Sequence, residues 1–85
     1  MKEFTHIIQD PAGIHARPAG ILVREAKAFQ SNIRISKGEQ GGDMKRIFVL
    51  MSLGAKQGDT LTIQVEGPDE EQAAAAIEAC LKERL

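Results

Sequence analysis

Apolar and polar residues change their spacing several times along the chain, and each change marks an element. Over residues 2–8, Phe4, His6 and Ile8 recur on every second position, which predicts a first strand. Asp10, Pro11, Ala12 and Gly13 break it. From Ala16 to Phe29 the spacing becomes helical, with Ala19, Leu22, Val23, Ala26 and Phe29 on one stripe. Ser31 and Asn32 end that helix. Ile33 and Ile35 alternate with Arg34 and Ser36 as a second strand, and Lys37–Gly42 reads as a tight hairpin into a weak third strand around Gln40–Met44. Ile47–Met51 is a run of five apolar residues that spacing alone leaves open between a short strand and a short helix. Residues 60–66 alternate cleanly, with Leu61, Ile63 and Val65 inward. Gly67-Pro68 stops this strand, and Asp69 with Gln72 three positions later predicts a capping box for a last helix. Ala73, Ala76, Ile77, Cys80 and Leu81 form its apolar stripe.

Short connections between these elements favour an antiparallel sheet covered by helices, an α+β layer pair in one domain over 1–85. A chain of 85 residues supports only one thin core, so function is expected on the surface. Composition is that of an ordinary globular domain, with 42 % apolar and 27 % charged residues. The formal net charge of −1 gives no general pull toward nucleic acid or anionic membranes. No apolar run is long enough for membrane insertion, and the first residues lack a basic-then-apolar pattern, so a cytoplasmic protein is expected. Cys80 is the single cysteine, which excludes an internal disulfide, and its place on the stripe predicts a buried structural thiol. Two histidines and one cysteine at unrelated spacing make no metal site, and no cofactor is expected.

Chemistry concentrates in Asp10-Pro11-Ala12-Gly13-Ile14-His15-Ala16-Arg17-Pro18-Ala19. A turn delivers His15 to the mouth of a helix, whose first amides are free donors carrying partial positive charge. Phosphate binds readily at such a mouth, and Arg17 adds a guanidinium fork that fits its oxygens. Ala16 and Arg17 are therefore the candidate phosphoryl-binding residues, with His15 as nucleophile. The helix mouth and Arg17 both disfavour an imidazolium, and the neutral ring is the form that attacks phosphorus. A lone histidine near a turn is also commonly a helix cap or a plain surface residue, and the residues alone leave both readings open.

The segment Gly13–Ala19 resembles the active-site signature of the HPr family, the histidine-containing phosphocarriers of the bacterial phosphoenolpyruvate-dependent sugar phosphotransferase system. Met51-Ser52-Leu53-Gly54-Ala55-Lys56-Gln57-Gly58-Asp59 is similar to the stretch that follows the family's regulatory serine. The resemblance covers essentially the whole chain. It implies an open-faced sandwich of βαββαβα order, with a four-stranded antiparallel sheet and three helices on one face, which makes Ile47–Met51 a short helix. It further implies a monomeric carrier rather than a free-standing enzyme. His15 would be phosphorylated on Nδ1 by enzyme I, Arg17 would contact the phosphoryl group, and enzyme IIA would receive it. A docking face near His15 is expected to hold Ile21, Ile47, Phe48 and Met51 with a basic rim of Arg17, Arg24 and Lys27.

Two positions depart from the family pattern. Position 12, commonly serine or asparagine, is Ala12, a loss of one hydrogen bond on the order of 1 kcal/mol. The position of the regulatory serine is Arg46, which cannot accept phosphate and reverses the charge a phosphoserine would bring. The expected role is a sugar-system phosphocarrier. A regulatory, nitrogen-type phosphorelay or a protein-binding module that never carries phosphate are the alternatives.

Overall fold

The computed structural model describes residues 1–85. Seven elements follow in the order β1 (Lys2–Ile7), α1 (Ala16–Lys27), β2 (Asn32–Lys37), β3 (Gln40–Asp43), α2 (Ile47–Ser52), β4 (Thr60–Glu66) and α3 (Glu70–Arg84). The strands form one antiparallel sheet in the order β1-β4-β2-β3, so the last strand is inserted between the first two. Phe4 stands opposite Ile63 and Ile35 opposite Ile63 on the other side, which aligns the inward residues of three strands across one face. That face carries the core, in which Leu22, Ile33, Ile35, Leu50, Leu61, Ile63, Ile77 and Leu81 are fully or almost fully buried. Each contributes about 1.5–3 kcal/mol through removal from water. The outward face presents Glu3, Thr5, Arg34 and Thr60 to solvent.

The five-residue apolar run is helical, as α2. Leu50 is buried and Val49 half-buried, whereas Ile47, Phe48 and Met51 remain 47 %, 80 % and 45 % exposed. The helix lies tight on β3 because Gly42 has no Cβ; one there would sit 3.1 Å from a Val49 methyl.

Three expectations need correction. Helix α1 stops at Lys27 rather than Phe29, because the amides of Ala28 and Phe29 turn back to Glu25 and Ala26 in a tighter closing turn. Asp69 does occupy the N-cap of α3, but its side chain does not cap. Its carboxylate crosses to the α1–β2 junction, where it accepts from the amides of Gln30 and Ser31, both at 2.9 Å, and from the Ser31 hydroxyl. The backward bond comes instead from Glu70, which accepts from the Gly67 amide at 3.1 Å. Cys80 is only half-buried, since α3 centres Ala73, Ile77 and Leu81 on the sheet; partial burial pushes its thiol pKa up.

Candidate active site at the mouth of α1

The turn that presents His15 is held from three directions. Asp10 folds it locally, its carboxylate accepting from the Ala12 amide at 2.8 Å and its carbonyl from the Gly13 amide at 2.9 Å. The Leu85 carbonyl accepts from the amides of Gln9 and Asp10, so the end of the chain clamps the start of the turn. The 55–59 segment clamps its other side. Ile14 donates to the Ala55 carbonyl at 3.2 Å, Gly58 to the Ile8 carbonyl at 2.9 Å, and the Gln57 amide group to the Gln9 carbonyl at 3.1 Å.

That second segment is itself braced. Asp59 accepts from the Lys56 amide at 2.8 Å and from Lys37 Nζ at 3.1 Å, and these partners hold its carboxyl below the usual carboxylate range. The Met51–Asp59 block therefore acts as the cradle of the His15 turn.

His15 takes the N-cap position of α1 in an extended conformation (φ −130°, ψ 175°), yet its ring makes no capping bond. The imidazole is thus not consumed by helix capping, and its side chain is 45 % exposed. The first intrahelical bond runs from Ala19 to the His15 carbonyl at 3.0 Å. Ala16 and Arg17 lie ahead of it, with amides that have no carbonyl one turn back, and Pro18 has no N–H to satisfy. The helix mouth thus offers two amides and the Arg17 guanidinium beside the ring.

A cleft of about 510 Å³ opens in front of His15. Arg17, Pro18 and Ile21 from α1 line one wall, and Asp10 lines the turn side. The end of α3 also lines the cleft, with Glu83 and Arg84. Asp10 Oδ2 lies 3.5 Å from His15 Nε2, so the carboxylate marks the Nε2 edge of the ring. Spacing along the chain gives Asp10 a place in the turn before His15 but no contact with its ring. Nothing local in the sequence brings Glu83 or Arg84 to His15; only the packing of α3 against α1 does so.

The predicted docking residues divide into two groups. Arg24, Lys27 and Ile47 line a second groove together with Gly20 and Val23, and Phe48 and Met51 project from α2 beyond them. Ile21 does not join that groove; it lies on the other flank of α1, in the His15 cleft. Arg46 is exposed at the N-cap of α2. His6 is far from this chemistry in role, tucked under the sheet edge with its Nε2 buried and unpartnered. No group of three or more histidine, cysteine or acidic side chains gathers as a metal site, and no helix is long and apolar enough to cross a membrane.

Comparison with known proteins places this site in a family setting. The family described as the PTS HPr component phosphorylation site matches residues 2–83. A phosphocarrier protein HPr of Mycoplasma genitalium is 49 % identical over 83 residues, covering 96 % of this chain and 94 % of the relative. The solved histidine-containing phosphocarrier protein of Mycoplasma superposes with a TM-score of 0.93 at 41 % identity, over 96 % of this chain and 93 % of that one. HPr-C-His of Thermoanaerobacter tengcongensis superposes with a TM-score of 0.92 at 38 % identity, over 99 % and 94 %; an HPr dimer of the same organism superposes at 0.77, over 98 % and 95 %.

Proposed function

Because the chain belongs to the HPr family of phosphotransferase-system phosphocarriers, we propose that it accepts a phosphoryl group from phosphorylated enzyme I on His15 and passes it to a sugar-specific enzyme IIA. The observation that carries this reading is the placement of His15, a half-exposed and uncapped imidazole at a helix mouth with two unspent amides and Arg17 beside it. In the neutral ring with its proton on Nε2, toward Asp10, the Nδ1 lone pair is the nucleophile. Nδ1 attacks phosphorus as the donor's bond to it breaks, and the amides of Ala16 and Arg17 with the Arg17 guanidinium take up the phosphoryl oxygens. The cleft is open to solvent, so the same group remains accessible to the next acceptor.

The groove of Arg24, Lys27 and Ile47, extended by Phe48 and Met51, supports a docking face for both partners beside the reacting atom, with Ile21 and Arg17 at the cleft. This reading takes the carrier to act as a monomer. Arg46 supports the absence of a serine switch there, and it also keeps a regulatory phosphorelay as a second reading, in which phospho-His15 is the signal. A cytoplasmic location follows from both. A protein-binding module without phosphate is the weakest reading, since it leaves His15 and Arg17 unused.

Incubation with phosphoenolpyruvate and enzyme I tests the reading. The expected product is an acid-labile, alkali-stable phosphate that is lost in His15→Ala. No label on the wild-type chain would refute the carrier role, and onward transfer to a sugar-specific enzyme IIA separates transport from regulation.

A further inference from the structure

We propose that Arg84, at the end of α3, is a second phosphoryl-binding guanidinium that leaves Glu83 to engage the group carried on His15. The proposal rests on the carrier reading for the identity of the group. Its ground is the charge arrangement of the cleft. The groups facing His15 are Asp10 from the turn, Arg17 from the mouth of α1, and Glu83 with Arg84 from the last turn of α3. Two carboxylates and two guanidiniums leave the empty cleft near neutrality. A phosphoryl group adds close to two negative charges. Arg17 and the partial positive charge at the α1 mouth offset part of this, while Asp10 and the carboxyl end of the α3 dipole repel it. Arg84 is the remaining cation on the lining.

Its present partner is easily exchanged. Arg84 Nη2 lies 3.6 Å from Glu83 Oε1, and the two side chains are 45 % and 71 % exposed. A solvated pair of this length is worth little. A phosphoryl group accepts two parallel N–H bonds from a guanidinium in shorter, charge-assisted geometry. Arg84 therefore gains by turning from Glu83 to the phosphoryl oxygens, while Glu83 turns to water. Arg17 from α1 and Arg84 from α3 then hold the group together within the cleft.

The test reads the phosphoryl group itself. Potassium phosphoramidate phosphorylates His15 without any protein partner: the ring nitrogen bonds phosphorus, the phosphorus–nitrogen bond of the reagent breaks, and ammonia leaves with the proton. The second ionisation of the phosphoryl group is then followed by ³¹P NMR against pH. A nearby cation favours the dianion, so Arg84→Ala is expected to raise the midpoint by about half a pH unit. Arg84→Lys recovers part of the shift, and Glu83→Gln moves the midpoint down. Arg84 is exposed in a terminal turn, so circular dichroism should stay unchanged. A midpoint in Arg84→Ala equal to wild type, while Arg17→Ala shifts it, overturns the proposal; so does failure of phosphoramidate to label His15. Labelling by phosphoramidate but not by enzyme I would refute the carrier reading alone.

Discussion

A Cβ atom on Gly13 would lie 2.4 Å from the carbonyl oxygen of Ala55. The same carbonyl accepts the Ile14 amide, so the turn that carries His15 is pressed directly against the 55–59 cradle. Gly13 also holds φ +67°, where other residues are strained by about 1–2 kcal/mol. Gly13→Ala must pay this strain and push two backbone segments apart. A loss of at least about 2 kcal/mol is expected in urea unfolding, with slower phosphorylation of His15. An unchanged midpoint would show that the cradle is not rigid.

Phe48 and Leu50 stand two positions apart on α2 with opposite burial, 80 % exposed against none. Leu50→Ala is expected to cost about 2–5 kcal/mol through the cavity it leaves. Phe48→Ala should stay within about 0.5 kcal/mol of wild type. If α2 is the docking face, the second variant instead raises the KM for enzyme I. Equal stability losses in the two would contradict the orientation of α2.

Asp10→Asn keeps an acceptor for the Ala12 amide but removes the charge beside His15 Nε2. The fold should therefore persist. Nitrogen-15 NMR of the neutral His15 ring is expected to show the proton on Nε2 in the wild type. A proton fixed on Nδ1 would contradict the assignment of Nδ1 as nucleophile.

His6 supplies a pH dependence separate from His15. Burial pushes its pKa down, opposed by the polar backbone of Leu85 and aided by nearby Lys82. A base with a lowered folded pKa is fully stabilising above its unfolded value of about 6.5, and stability falls as pH drops through that value. His6→Phe should flatten the unfolding free energy below about pH 6.5. A slope as steep as wild type would assign the dependence elsewhere.

Asp69 acts in a lower window. Its bonds to Ser31 and Gln30 lower its pKa, so its contribution is present above the ordinary carboxylate value and is lost as pH falls below about 4. Asp69→Asn is expected to weaken this acid-induced loss, read as a shallower fall of Tm with pH. No change in that fall would exclude the Asp69 bridge as its source.

Much of this architecture is legible in the sequence. Local periodicity alone marks α1, β2, β4 and α3, because a face that must be buried imposes its period on the residues that form it. The His15 turn was readable for a similar reason: Asp10, Pro11, Gly13 and Pro18 are residue types whose backbone limits are local. The apolar run 47–51 was not readable by spacing, since a short helix and a short strand can both bury such a run. Its docking on Gly42 decides the matter, and it leaves Ile47, Phe48 and Met51 outside.

Of the charges around His15, Arg17 is legible at the helix mouth, whereas Glu83 and Arg84 lie beyond any local pattern. Ile21, expected on one docking face with Ile47, Phe48 and Met51, lines the His15 cleft together with the end of α3. Asp69 fits a capping box by its spacing, but a carboxylate bonds whichever donors the fold brings nearest, and those are Gln30 and Ser31. Sequence by itself determined most of the elements and the place of His15 at a helix mouth, since both depend on neighbours along the chain. Only tertiary structure decided which charges share the cleft, because electrostatic partners are chosen by distance in space: Asp10 from one end of the chain and Arg84 from the other.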